Sequence, residues 1–203
     1  MDALIPDGLR YRWYGMQARN KAIFSELFPP LGVQEYVSLD LETSSLDTET
    51  AEILEIAAVP VRQGKVFPGE SLVIKVKPFG RLDPDSVPIH QIRSKDLESA
   101  MDPERALGEL LKFLGRRPLL GFNIRFDQLI INRYCKKYYG FKFPNLALEL
   151  SHAYYRWVLN KNPEGVTDLR FETICTELGV PVFDRHTAKG DALSVALAWL
   201  KMK

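Results

Sequence analysis

The stretch EYVSLDLET, residues 35–43, decides the fold. Val37, Leu39 and Leu41 fall on one side of an extended chain, and Ser38, Asp40 and Glu42 fall on the other. A period of two marks a β-strand with one face in a core. The same period places the Asp40 and Glu42 carboxylates side by side on the second face. Like charges that close repel, so either solvent screens them or a divalent cation lies between them. For a lone Asp-x-Glu the solvated face is the commoner explanation, and the rest of the chain has to decide.

Downstream, EILEIAAVPVRQGKVF (52–67) and ESLVIKVKPF (70–79) read as two more strands, with Gln63-Gly64-Lys65 as a tight turn. Residues 81–103 are loop-rich with short helical turns. DPERALGELLKFLGR (102–116) offers Asp102 as N-cap, Pro103 at the first helical position and an apolar stripe of Leu107, Leu110, Leu111 and Leu114. PLLGFN (118–123) is a short buried strand. RFDQLIINRYCKKYYG (125–140) is a helix with Phe126, Leu129, Ile130 and Tyr134 as its core face and Gly140 as its C-cap. NLALEL (145–150) reads as a strand running into a helix. DLRFETICTELGV (168–180) is a further helix, and FDRHTAKGDALSVALAWL (183–200) is a loop entering another. Upstream, residues 9–28 read as one broadly helical segment stopped by PPLG. Three meandering strands followed by alternating strands and helices predict an α/β sandwich around a mixed sheet.

The bulk numbers fit this. The 203 residues suit one domain, and 46% apolar with 26% charged residues is ordinary for a globular protein. A net charge of +1 demands neither nucleic acid nor an anionic membrane, though a small enzyme can meet a polyanion through bound metal and a local patch. Cys135 and Cys175 belong to no CxxC pair, which argues against zinc and suits a reducing compartment. No apolar run approaches the roughly 18 residues of a spanning helix, and the first residues lack a signal-peptide layout. A cytoplasmic protein with no membrane partner is expected.

Two more acids stand in unusual settings. Asp127 opens a helix just after an apolar strand, and Asp191 opens the last helix with His186 five residues before it. Each alone could be a first-turn carboxylate favoured by the helix dipole, and a lone loop histidine is more often structural than chemical. Together they compose an oxygen-ligand metal site beside a base. Magnesium and manganese prefer such ligands, and phosphodiester hydrolysis is a common use of them.

With these residues in place, the chain resembles the DEDDh exonucleases of the ribonuclease H-like fold, which include the proofreading ε subunit of bacterial DNA polymerase III, ribonuclease T and oligoribonuclease. DLETSSLD (40–47) stands where the family has its first motif, GFNIRFD (121–127) its second and HTAKGD (186–191) its third, over roughly residues 35–203. The resemblance implies a ribonuclease H-like fold, a central mixed five-stranded sheet flanked by helices. It implies that Asp40, Glu42, Asp127 and Asp191 hold two divalent cations, Mg2+ or Mn2+, with Asp40 bridging and His186 as general base. Thr43, Leu46, His90 and Asn123 would contact the terminal nucleotide, with a turn hydrogen bond, or core packing for Leu46, as the alternative. Arg133, Lys136 and Lys137 would meet phosphates or else form a solvated helix face. The activity implied is metal-dependent 3′–5′ exonuclease action on single-stranded DNA or RNA, releasing nucleoside 5′-monophosphates.

Some positions depart from the family pattern. Ser45 stands where glycine is usual, Phe122 where proofreading subunits often have histidine, and Glu149 near a usual aspartate. Residues 1–34 form an N-terminal helical extension to the 35–203 exonuclease domain, free to pack on it, bind a partner or support a homodimer. With no polymerase-binding tail after Lys203, a stand-alone nuclease in repair or nucleotide salvage is expected over a replicative subunit, with a polymerase or repair complex as the partner to test. The runner-up is a catalytically silent nucleic-acid-binding or polymerase-accessory module. A glycosidase would not need Asp127, Asp191 and a histidine as well.

Overall fold

The structure is a computed structural model, which describes residues 7–18, 20–28, 35–80 and 92–203. Its centre is β1 (Glu35–Thr43), flanked on one side by β2 (Ile53–Arg62) and on the other by β5 (Leu119–Gly121), beyond which lies β6 (Ala147–Glu149). β1 and β2 are antiparallel, joined in register from Glu35 opposite Arg62 to Glu42 opposite Glu55, whereas β1, β5 and β6 are parallel. β3 (Lys65–Val66) and β4 (Leu72–Lys75) both pair antiparallel with β2. They share its outer edge, one lane interrupted by the 3-10 turn Pro68–Glu70. The six strands therefore occupy five lanes of a mixed sheet, the ribonuclease H-like arrangement expected from the sequence. Gln63 and Gly64 turn the β2–β3 hairpin with φ of 51° and 70°, the pair of left-handed residues that a two-residue turn requires.

Helices cover both faces. α1 (Asp7–Gln17) and α2 (Lys21–Leu27) precede the sheet, α3 (Pro103–Leu114) and α4 (Ile124–Tyr138) flank β5, and α5 (Leu150–Lys161), α6 (Phe171–Glu177) and α7 (Ala188–Lys201) complete the chain. Val37, Leu39 and Leu41 pack with the α3 stripe, Leu107, Leu110, Leu111 and Leu114, all essentially without exposure. Truncating one of these leucines to Ala should cost about 2–5 kcal/mol. The opposite face of β1 meets α7, where Tyr36 packs on Trp199 with ring centroids 5.8 Å apart.

Three local expectations need correction. The segment 9–28 is two helices, because the Asn20 side chain caps α2 by accepting from the backbone N–H of Ala22 and Ile23. These helices join the main core: Phe24 and Phe28 pack on Phe141, and Arg116 Nε donates to Phe28 O at 2.7 Å. On α4 the buried face is Ile124, Asp127, Ile130, Ile131, Tyr134 and Cys135, while Leu129 is exposed and Phe126 half-buried. The face is turned because an acid occupies the inward position of its first turn. Arg133 is no solvated phosphate ligand, since its guanidinium donates to Glu49 O and Ala51 O and pins the loop between β1 and β2.

Candidate active site

The site forms where β1 outruns its parallel neighbour. The N–H of Val37 bonds to Pro118 O at 3.0 Å, and β5 pairs with β1 at Val37 and Ser38. By Leu41 the strand on that side has ended, and Asp127 Oδ1 takes the next N–H of the ladder at 3.1 Å. A buried carboxylate thus replaces a strand, which is why Asp127 points inward from α4. Past Glu42 the β1–β2 register shifts, a bulge that bends the chain away from the sheet.

Asp40, Glu42 and Asp191 come together with ligand oxygens all within 4.8 Å of one another. Asp191 reaches the pair from the fourth position of α7, whose N-terminus is capped by Thr187 Oγ1 accepting from Gly190 N–H at 3.1 Å. Gly190 is required by close approach: a Cβ there would lie 2.4 Å from Phe183 O and 2.6 Å from Asp184 O. The three acids belong to the set named from the sequence. Asp127 stands beside them, outside the 4.8 Å group, and its charge raises Asp40.

The electrostatics record this crowding. Burial, followed by the charges of Asp127, Glu42 and Asp191, holds Asp40 well above the ordinary carboxylate range. Burial with Asp191 and Glu55 pushes Glu42 up to about 7, and burial pushes Asp127 up to about 8. Asp191 is raised by burial and held back by Arg185. Asp191 Oδ1 is buried and has no hydrogen-bond partner among the described residues. Several crowded carboxyls that burial holds back from ionising and an orphaned inward oxygen call for positive charge, so this donor set fits a divalent metal bound through oxygen.

Two residues at the site, Arg185 and Glu55, escaped sequence reasoning, and a third, Glu149, was named there only as a departure from the family pattern. Arg185 donates from Nη1 to Asp191 Oδ2 at 2.5 Å and from Nε to Glu172 Oε1 at 2.9 Å, with its guanidinium 4.8 Å from the Phe171 ring centre. Asp191 therefore has a protein cation beside it, next in sequence to His186. Glu55 lies directly across the strand pair from Glu42, a position that requires the register to see. Glu149 accepts the N–H groups of Asn123 and Ile124, both at 3.0 Å, and so ties the first turn of α4 to the end of β6. Its signal was its place near a usual aspartate of the family pattern, which did not say what it holds.

His186 is exposed, on a loop where Asp184 and His186 both hold left-handed φ, 25° and 66°. Asn123 is a third such residue, φ 56°, at the N-terminus of α4. Non-glycine residues held there cluster at functional sites. Thr43 Oγ1 donates to Ser45 O at 2.9 Å, the turn bond that was its alternative reading. Leu46 is 83% exposed, which removes core packing as its role. His90 lies outside the described residues.

Comparison with known proteins follows the same lines. The family described as Exonuclease (RNase_T) matches residues 37–198. The chain is 27% identical to a PolC-type DNA polymerase III of Thermotoga petrophila over 166 residues, 82% of this chain and 12% of that protein. It is 32% identical to the DNA polymerase III subunit epsilon of Aquifex aeolicus over 121 residues, 56% of this chain and 55% of that one. The chain therefore spans between about an eighth and about half of the length of these relatives. Exonuclease I of E. coli, solved in complex with a dT13 oligonucleotide, superposes with a TM-score of 0.66 at 19% identity, over 83% of this chain and 40% of that one, and shares the fold. With its match extending from β1 to the last turn of α7, the chain belongs to the exonuclease family.

Proposed function

We propose that the chain is a metal-dependent 3′–5′ exonuclease that releases nucleoside 5′-monophosphates from single-stranded DNA or RNA. The observation that carries this is the convergence of Asp40, Glu42 and Asp191, one with an orphaned buried oxygen, at the carboxyl ends of parallel strands. Asp40, Glu42, Asp127 and Asp191 would hold two divalent cations, Mg2+ or Mn2+. When bound, these lower the pKa of a water and stabilise charge on the attacking and leaving oxygens. Every other part of the task falls to the protein. The His186 imidazole, carried on an exposed loop, takes the proton of the attacking water, the general-base role that histidine most often fills. Leu46, exposed on the loop that follows β1, offers an apolar surface for the terminal base, while Thr43 and Asn123 shape the turns that lead from β1 and into α4. Arg185 neutralises the acids when metal is absent.

Family membership supports hydrolysis of a phosphodiester at a chain end. The dT13 complex of the E. coli neighbour supports a single strand as substrate, and the polymerase III relatives support association with a polymerase. A silent binding module is disfavoured because all four acids and the histidine remain. The test is hydrolysis of the p-nitrophenyl ester of thymidine 5′-monophosphate. Release of nitrophenol in Mn2+ that stops with EDTA is expected. Equal rates with and without metal, or no release at any metal concentration, would overturn the proposal.

A further inference from the structure

Beyond the acids, three surface cavities of about 470, 330 and 200 Å³ run together along the β6 edge of the sheet. The first and second share Ala147, Glu149 and His152, and the second and third share Arg156 and Trp199, so they form one groove. Where the first and second cavities meet stands Glu149, the carboxylate that holds the first turn of α4 and hence Asp127. From there the groove follows α5, whose exposed stripe His152, Tyr155, Arg156 and Asn160 keeps helical spacing over about 12 Å.

The lining is cationic and aromatic. Arg125, Lys142, His152, Arg156 and Lys203 face one acid, Glu149, whose two oxygens are already occupied by backbone N–H groups. Among the described residues, Arg125, His152, Arg156 and Lys203 are in no ion pair. Tyr155 is 44% exposed, and the Trp199 ring at the groove floor has a buried Nε1–H with no partner among the described residues. A chain with a net charge of +1 has gathered three charged side chains outside any ion pair among the described residues, Arg125, Arg156 and Lys203, beside aromatic rings in one place. Phosphates take the cations and a base stacks on the exposed Tyr155 ring, which is the recognition chemistry of a single nucleic-acid strand.

We propose that this groove binds the single strand on the 5′ side of the nucleotide being removed, so that affinity grows with strand length. The proposal deepens the exonuclease reading and rests on it for direction, but binding is measured without cleavage, so the two can fail separately. Fluorescein-labelled dT12 and dT3 are titrated by anisotropy in EDTA across a range of salt. Wild type should bind dT12 at least about 10-fold more tightly than dT3. Arg156→Ala with Lys203→Ala should remove most of that ratio and reduce the salt dependence of log K by about 1.4, about 0.7 for each cation lost. Tyr155→Ala should weaken dT12 about 10-fold with the salt slope unchanged, a loss of stacking alone. Equal affinities of wild type for the two lengths would overturn the proposal. So would dT12 binding that survives both substitutions, as it would if the groove docks a protein.

Discussion

Asp127 and Asp191 occupy the same position, the fourth residue of a helix, α4 and α7 respectively, and both helices are entered through left-handed residues. Their surroundings differ. Asp127 accepts a backbone N–H of β1 and is in no ion pair among the described residues, and burial pushes its carboxyl up to about 8. Asp191 leans on Arg185 and leaves its second oxygen orphaned. The α4 start is capped from a distance by Glu149, and the α7 start locally by Thr187. One acid is thus built into the sheet as a strand substitute, while the other is held by a side chain able to leave. We infer that Asp127 serves the frame as well as the metals and that Asp191 serves mainly the metals.

The largest effect expected separates the two. Asp191→Ala and Asp127→Ala should both reduce cleavage below detection, but their melting curves in EDTA should diverge. Asp127→Ala strands the buried Leu41 N–H and should lose about 1–3 kcal/mol. Asp191→Ala removes an orphaned oxygen and leaves Arg185 with Glu172, so its stability should stay near wild type. Equal losses would end the distinction. Next comes His186→Ala, which should slow cleavage about 10²–10⁴-fold while calorimetric Mn2+ binding persists. Gly190→Ala then probes the α7 entry alone: a Cβ pressed on Phe183 O must shift the loop carrying Arg185 and His186, and displacement of that size costs about 10²-fold in rate. No change in rate would mean that the loop is free to move.

Smaller effects concern charge. Glu42 and Asp127 bind protons in the folded chain at about 7 and 8, against 4.5 and 3.8 unfolded. The folded state therefore holds protons that the unfolded chain has released. Stability is fully present below about pH 4 and is lost as pH rises through 7 to 8. Melting in EDTA should fall across that window, and Mn2+ should flatten the fall. Arg185→Gln should cost the metal-free chain about 1 kcal/mol, a modest figure because the guanidinium is a third exposed. In compensation, Mn2+ should bind at least as tightly as in wild type.

The sequence made legible whatever a single element could show. The alternation of β1, the α3 stripe and the three separated acid motifs were readable because each is periodic or local. What depended on pairing was not. Glu55 joins the acids through the antiparallel register, and Leu129 turns outward because Asp127 claims the inner face of α4. Arg185 stands next to His186 in the loop entering α7, yet nothing local told an ion pair with Asp191 from a solvated cation. Asn20 split a helical segment by a side-chain cap that propensity alone does not weigh.

The central claim is tested most directly with 5′-labelled single strands of DNA and RNA of equal sequence, incubated in Mn2+, Mg2+ or EDTA with wild type and with Asp40→Ala. The account predicts a ladder shortening from the 3′ end in either metal, absent in EDTA and absent with the variant, the faster ladder naming the preferred polymer. Shortening in EDTA, or an Asp40→Ala ladder matching wild type, would contradict it.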